Sequence, residues 1–203
     1  MALVVSTVIE LSPETLRERM HEALQIYVAA MGYPPSVARR RAPMWAEHAL
    51  RPGWKAVAAV LEPGDQLRGV SKLKLAAHHA PLVGIAYGYS GAPSQWWYKQ
   101  VWDALESGDG ELNAERTLED YFELTELHVH PDAQGMGVGQ ALITALLDAR
   151  PERAVLLSTP EVGDEDNRAW RLYRRLGFAD VLRHFQFDGD PRPFAVLGRE
   201  LPL

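Results

Sequence analysis

Three glycines within five residues, Gly135, Gly137 and Gly139, stand directly before a stretch with helical spacing of apolar residues, 142–147. Glycine destabilises a helix by about 1 kcal/mol relative to alanine, so a cluster of glycines at a helix start needs a reason in the backbone. The first N–H groups of a helix have no intrahelical acceptor and carry a partial positive charge, and glycine lets an anion approach them closely. The segment therefore predicts either an anion-binding turn or a tight, closely packed strand-to-helix turn.

Neither common nucleotide-binding fingerprint fits these glycines. The chain has no Gly-Lys-Ser/Thr sequence, which excludes a Walker A loop. The spacing Gly135-x-Gly137-x-Gly139 also differs from G-x-G-x-x-G, and no suitable acid follows about 20 residues later on a second strand. An anion bound here would therefore belong to another class of ligand.

Composition limits the classes of protein that this chain can belong to. Its 203 residues, 47% hydrophobic and 24% charged, predict one globular domain over residues 1–203. No apolar run approaches the roughly 20 residues that span a bilayer, and the N-terminal segment lacks the features of a signal peptide. We therefore expect a cytoplasmic protein with no membrane partner. The absence of cysteine excludes disulfides, thiolate metal sites and a cysteine nucleophile, and the net charge of -6 argues against a nucleic-acid partner.

The order of hydrophobic patterns predicts a mixed α/β (α+β) domain with a mostly antiparallel sheet flanked by helices. Strands are predicted at 4–11, 54–62, 82–90, 121–129, 154–158, 181–187 and 194–200. Helices are predicted at 13–31, 36–49, 95–105, after the glycines, and at 166–176. The connection between the second and third strands is polar and of undefined structure, and residues 107–120 are interpreted as a surface loop.

Two segments match the motifs of one known family. Residues 129–139, "VHPDAQGMGVG", fit V-x-P-x-x-Q/R-x-x-G-x-G, and residues 167–178, "NRAWRLYRRLGF", fit N-x-x-A-x-x-L-Y-x-x-x-G-F with the alanine one place early. The segments occur in order, with a predicted strand between them. Together they resemble the Gcn5-related N-acetyltransferases (GNAT) over the C-terminal half of the chain, from about Tyr121 onward. The N-terminal half agrees with that family only in its order of strands and helices.

The resemblance implies a GNAT-like fold and acetyl-CoA as the acyl-donor cosubstrate. It implies that the glycine loop and the following helix start hold the pyrophosphate, and that backbone groups freed by a splayed strand bond the pantetheine arm. An N–H near Val129 would polarise the thioester carbonyl. The cofactor-binding residues implied are Leu127, His128, Val129, Gln134, Gly135, Met136, Gly137, Val138, Gly139, Gln140 and Asn167.

The resemblance also implies catalytic residues. Tyr173 matches the tyrosine that protonates the leaving thiolate, although a core tyrosine is the alternative reading. Asn167 could equally be only the N-cap of its helix. Glu123 occupies the position where histone-type members carry a glutamate base, eleven residues before Gln134. Glu126 is the alternative base, because a bulge in the strand would change which of the two carboxylates faces the groove.

Other polar and aromatic clusters have plainer interpretations. His128 and His130 share a strand face, but no third ligand has convincing spacing, so we predict no metal site. Residues 96–98, Trp-Trp-Tyr, are interpreted as helix packing, with a wall of the acceptor pocket as the alternative. The arginines at 39–41 are interpreted as a solvated helix face, with a role in anion binding as the alternative.

We therefore predict an acetyl-CoA-dependent N-acetyltransferase in which a primary amine attacks directly in a ternary complex, since no cysteine is available as a covalent relay. The alternative is a catalytically silent module that binds acyl-CoA as a sensor. The acceptor amine, on a small molecule or on a peptide or protein, is not selected by the sequence. Dimers are common among similar proteins, so a homodimer is the assembly that the resemblance suggests.

Overall fold

The structure is a computed structural model that describes residues 5–62, 79–109 and 111–203. The connection predicted between the second and third strands therefore lies largely outside the described residues. The described strands are β1 (Val5–Leu11), β2 (Lys55–Glu62), β3 (Leu82–Ser90), β4 (Tyr121–Val129), β5 (Ala154–Pro160), β6 (Ala179–Phe185) and β7 (Phe194–Glu200). The described α-helices are α1 (Pro13–Glu18), α2 (Met20–Met31), α3 (Ser36–His48), α4 (Trp96–Asp109), α5 (Glu111–Leu118), α6 (Val138–Leu147) and α7 (Arg168–Arg175).

The seven strands form one sheet in the order β1-β2-β3-β4-β5-β7-β6. The β1–β2, β2–β3, β5–β7 and β6–β7 pairs are antiparallel, whereas β4 and β5 run parallel. The predicted fold class, a mixed and mostly antiparallel sheet flanked by helices, is confirmed. Two compact units divide the described chain: one holds the residues up to Gly88 with Glu126–Leu146, and the other holds Tyr89–Thr125 with Leu147–Leu203. That residues 1–203 act as a single domain stays a prediction.

In the first unit, the predicted helix over 13–31 is two helices. The hydroxyl of Ser12 caps α1 by accepting from the N–H of Thr15 at 3.1 Å, as its sequence predicts. The helix then breaks at Arg19, whose φ of -100° and ψ of 11° are not helical. The Arg19 guanidinium instead donates to the carboxylate of Glu22 and, at 2.6 Å, to the carbonyl of Ala80. Apolar spacing alone carries no signal for this break, because it is maintained across it.

Close packing of α6 against β3 fixes the place of the glycine segment in the same unit. A side chain at Gly84 would lie 2.9 Å from the Leu142 side chain and 3.2 Å from that of Val138. Glycine in β3 therefore lets the first turn of α6 approach the strand directly. The start of α6 is held by this contact against the sheet.

In the second unit, the predicted loop at 107–120 is wrong, because residues Glu111–Leu118 form α5. Its helical signal is weak but present: Ala114 and Leu118, four residues apart, are both buried. They belong to an apolar cluster of this unit formed by Trp97, Val101, Leu105, Ala114, Leu118, Tyr121, Leu156, Phe187 and Val196. The polar residues between them concealed a helix with one narrow apolar side.

Candidate active site

The glycine segment adopts a backbone that side chains disfavour. Gly135 has a φ of +80° and Gly137 a φ of +82°, and a Cβ built on either would meet nothing within 4 Å. The glycines are thus required by backbone conformation, and the space beside them is open on the protein side. The carbonyl of Gly137 accepts the N–H of Ala141 at 3.0 Å, so the N–H groups of 138–140 precede the first bonded turn of α6.

Side chains of this segment separate into two groups. Val138 is 3% exposed and packs toward Gly84, so only its backbone N–H could serve a ligand. Met136 is 60% exposed, and Gln140 also points outward. The anion-binding capacity of the segment therefore lies in its backbone rather than in charged side chains.

The end of β4 is bonded to the loop that follows it. The side-chain amide of Gln134 donates to the carbonyl oxygen of Val129 at 3.0 Å, which closes the loop onto the strand. The N–H of His130 donates to the carbonyl of Val83 on β3 at 2.8 Å. Because backbone groups alternate sides along a strand, the N–H groups of Leu127 and Val129 point away from β3.

The pairing of β4 with β5 is short. In the second unit, Tyr121, Phe122 and Glu123 pair with Ala154, Val155 and Leu156. No further β4 residue of that unit is in this register, although β5 continues to Pro160. That β4 leaves its parallel neighbour before the loop, as the resemblance implies, stays a prediction.

Glu126 lies at the centre of a buried polar cluster in the first unit. Its Oε1 accepts from the indole N–H of Trp45 at 3.1 Å, and its Oε2 lies 2.5 Å from Nε2 of His128. Burial alone would raise the pKa of Glu126, but the hydrogen bonds from His128 and Trp45 and the charge of Arg41 hold that pKa below its usual value. The carboxylate is therefore ionised at neutral pH, with both oxygens engaged.

Helices α2 and α3 supply the rest of the cluster around Glu126. The ring of Tyr27 meets that of His128 edge-on at 4.9 Å between centroids, and Arg41 donates to the Tyr27 hydroxyl at 3.2 Å. Nδ1 of His48 lies 3.0 Å from the hydroxyl of Tyr87. Burial lowers the pKa of His48 to about 4, so this imidazole is neutral at pH 7. Arg39 and Arg40 are exposed, so only Arg41 of the basic run enters the cluster.

Glu123 has a different environment in the second unit. It is 4% exposed, and its Oε1 accepts from the hydroxyl of Tyr89 at 3.0 Å and from that of Thr125 at 3.5 Å. Like Glu126, it is a buried carboxylate, but its donors are hydroxyl groups of its own unit. Sequence reasoning missed Tyr89 and Trp45, since an aromatic residue in a strand or helix carries no signal for a distant carboxylate.

Tyr173 and Asn167 belong to α7, also in the second unit. Asn167 is the N-cap of the helix, and its side-chain oxygen accepts from the N–H of Trp170 at 2.8 Å. Its amide N–H₂ is the part that could still contact a cofactor. Tyr173 is 7% exposed, with its ring 5.7 Å from that of Phe178. The structure thus places Tyr173 on a rigid, packed helix, as either reading of this residue requires.

The described residues contain neither a metal-binding group nor a membrane-spanning helix. Among the described residues, no group of three histidine, aspartate or glutamate side chains could hold a metal ion. Within the same part of the chain, no helix has both the length and the apolar character needed to cross a membrane.

Of residues 96–98, Trp97 is buried in the apolar cluster of the second unit. Its indole N–H donates to the hydroxyl of Ser158 at 3.3 Å, which is the packing role expected of it.

Comparison with known proteins gives consistent matches. A model of the acetyltransferase (GNAT) domain matches residues 98–180. A GCN5-like protein acetyltransferase of Mycobacterium tuberculosis is 52% identical over 201 residues, which cover 96% of this chain and 98% of that protein.

Solved structures show the same fold at low sequence identity. A GNAT-family acetyltransferase from Desulfovibrio desulfuricans superposes with a TM-score of 0.61 and 16% identity, over 97% of this chain and 99% of the other. An acetyltransferase from Salmonella typhimurium, solved with acetyl-CoA, superposes with a TM-score of 0.57 and 16% identity, over 97% and 94% of the two chains.

Proposed function

Because this chain belongs to the Gcn5-related N-acetyltransferase family, we propose that it transfers an acetyl group from acetyl-CoA to a primary amine of a protein. The observation that carries the proposal is the exposed backbone of the glycine segment, with positive φ at Gly135 and Gly137 and open space beside both. The protein acceptor is supported by the name of the M. tuberculosis relative, a protein acetyltransferase.

The residues of the first unit are suited to hold acetyl-CoA, the acetyl donor. A pyrophosphate needs N–H donors without a competing acidic side chain, and the start of α6 supplies N–H groups from 138–140. Gly135 and Gly137 leave these groups open to a bulky anion. Acetyl-CoA would supply a thioester-activated acetyl group. The N–H of Val129, which points away from β3, is the proposed donor to the thioester carbonyl oxygen.

Proton transfers are assigned to side chains. The attacking amine must lose protons, and the leaving sulfur must gain one. We assign the second role to the phenol of Tyr173, which follows from its match to the family motif. For the first, the sequence offers Glu123 and Glu126, and the structure holds both carboxylates in hydrogen bonds from neighbouring side chains.

A panel of amines tests the proposal. The panel contains a blocked peptide with one lysine, a lysine-free peptide with a free N-terminus, and spermidine. Release of free thiol from acetyl-CoA is measured, and mass spectrometry locates the acetyl group. We expect turnover with at least one peptide. Tight CoA binding without turnover on any amine would instead support the silent acyl-CoA sensor.

A further inference from the structure

One histidine of β4 is arranged as a proton acceptor. His128 follows Glu126 by two residues, so both side chains project from the same face of the strand. Nε2 of His128 and Oε2 of Glu126 are 2.5 Å apart. An ionised carboxylate can only accept, so Nε2 must carry a hydrogen, and whenever the ring is neutral its lone pair is on Nδ1.

Glu126, the carboxylate that accepts from Nε2 of His128, is held in place by its own neighbours. The indole N–H of Trp45, a donor with no acceptor capacity, occupies Oε1 of Glu126. The Trp45 ring is fully buried and lies nearly parallel to the His128 ring, with an interplanar angle of 14°. Tyr27 closes the cluster with the edge-on contact to His128. Among the described residues, Glu126 is the only hydrogen-bond partner of the His128 ring, so Nδ1 is not committed to another described group.

The position of His128 along β4 also bears on its role as a proton acceptor. His128 directly precedes Val129, whose N–H is the proposed donor to the thioester carbonyl. The imidazole of His128, a residue that is 9% exposed, is therefore attached next to the proposed donor along the strand. Glu126 cannot take this role itself, because both of its oxygens are engaged and its carboxylate is buried.

We propose that Nδ1 of His128 accepts the proton of the acceptor ammonium, with Glu126 as the positioning residue that holds the imidazole in the required tautomer. This inference rests on the proposed function. The step converts the acceptor from R–NH₃⁺ to R–NH₂ and His128 to an imidazolium, which then returns the proton to water. The amine lone pair attacks the thioester carbon to form the C–N bond. As the C–S bond breaks, the sulfur takes the phenol proton of Tyr173, the nitrogen loses its second proton to water, and water restores the proton of Tyr173.

Histidine suits this step better than a carboxylate. An imidazole can accept a proton on one ring nitrogen while the other ring nitrogen donates to a carboxylate. The titratable groups that contact His128 are Glu126 on its own strand and Tyr27 on α2; Arg41 on α3 interacts with both of these, and His48 and Tyr87 lie in the next layer. The arrangement repeats the logic of an imidazole oriented by a buried carboxylate.

The test combines kinetics with a spectroscopic readout on the full chain. His128→Gln should lower kcat with the best amine of the panel by about 10²–10⁴-fold at pH 7. The loss should shrink as rising pH deprotonates the free amine, and CoA affinity measured by calorimetry should be unchanged. His128→Ala should regain activity when imidazole is added, which a merely structural histidine would not. The matched control is His130→Gln, at a half-buried histidine two residues further on.

Nuclear magnetic resonance on ¹⁵N-histidine-labelled protein tests the positioning role separately. We expect His128 with the proton on Nε2, and loss of that single-tautomer signal in Glu126→Gln. An Nδ1-protonated ring, or a His128→Gln variant within about threefold of wild type, overturns the inference. If Glu123→Gln alone shows the pH-dependent loss, Glu123 is the proton acceptor and the inference is also wrong. A wild-type chain that binds CoA but acetylates no amine instead fails the proposed function, and the inference falls with it.

Discussion

The side-chain amide of Gln134 and the carbonyl oxygen of Val129 are 3.0 Å apart, so the residue before the glycine segment is tied to the last residue of β4. Gln134 itself has extended backbone angles, a φ of -70° and a ψ of 148°. This hydrogen bond therefore holds the loop against the end of the strand. A ligand that bonds to the strand backbone and to the loop would find both already in place.

Replacing Gln134 by alanine removes this tie. The net value of one such hydrogen bond is about 0.5–1.5 kcal/mol, so we expect the Kd for CoA to rise by about 3- to 10-fold. Isothermal titration measures this directly. Gln186→Ala is the matched control, because the Gln186 amide makes the same kind of bond, 3.1 Å to the carbonyl oxygen of Pro191, outside the glycine segment. Equal effects of the two variants would argue against a role for the Gln134–Val129 bond.

A negative charge at Gly139 should abolish CoA binding while the fold persists. Gly139 lies in the first turn of α6, where a carboxylate favours the helix but repels a pyrophosphate. Gly139→Glu is therefore expected to lower CoA affinity by at least tenfold with little change in melting temperature. Gly139→Gln, similar in size but neutral, separates charge from bulk, and equal affinities in the two variants would remove the charge argument.

Gly137 is a poorer position for the same experiment. Its φ of +82° strains any side chain there, so Gly137→Glu changes backbone and charge together. The sequence identified the three glycines as a group but could not distinguish those that need a left-handed backbone from one that starts a helix. Only backbone angles make this distinction.

The sequence predicted most of the fold because its strands carry strong local patterns. Residues 82–90 and 194–200 were predicted at the bounds of β3 and β7, since β-branched and aromatic residues are bounded there by polar or turn residues. The errors fell where local pattern is weak. At the break, the Arg19 side chain bonds to the distant carbonyl of Ala80, and α5 has a narrow apolar side that can be recognised only against its core.

Prediction of the candidate site from sequence fails at the same kind of place, where contacts join distant segments. Motif spacing predicts the loop and Tyr173 as site residues, because such spacing encodes backbone geometry within one segment. The partners of the carboxylates come from other elements: Trp45 on α3 lies 81 residues from Glu126, and Tyr89 on β3 lies 34 residues from Glu123. No local signal connects such pairs, so the roles of the two glutamates could not be separated by sequence.

Tyr173→Phe should lower kcat while CoA affinity stays within about twofold. The change removes only the phenol oxygen, and the ring packing against Phe178 is retained. General acid steps contribute about 10²–10⁴-fold to the rate, so we expect kcat to fall by a factor in that range, because the leaving sulfur is no longer protonated by a phenol. Steady-state kinetics with calorimetry measures both quantities. Tyr98→Phe, at a half-buried tyrosine stacked on Trp102, is the control, and full activity of Tyr173→Phe would make Tyr173 a core residue.

Glu123→Gln tests the remaining carboxylate. Glutamine keeps an oxygen that can accept from the Tyr89 hydroxyl, so the packing around residue 123 is preserved. With His128 as the proton acceptor, we expect kcat to change by less than about threefold and the pH–rate profile to overlay that of wild type. A loss that recovers with rising pH would assign the proton transfer to Glu123.

His48 predicts a specific dependence of stability on pH. Burial lowers its pKa in the folded protein from about 6.5 to about 4, and the ring is neutral where it meets Tyr87. Between these two values the unfolded chain binds a proton that the folded chain does not, so the free energy of unfolding falls as the pH drops from 6.5 to 4. The shift corresponds to roughly 3 kcal/mol over this range. Above pH 6.5 His48 contributes no pH dependence.

Urea denaturation at several pH values measures this loss. His48→Gln removes the titrating group and keeps a side chain that can bond to the Tyr87 hydroxyl. We expect its free energy of unfolding to fall less steeply between pH 6.5 and 4 than that of wild type, by an amount close to the His48 contribution. His21→Gln, at an exposed histidine on α2, should follow the wild-type curve. Parallel curves for wild type and His48→Gln would mean that His48 titrates normally in the folded protein and is accessible to protons.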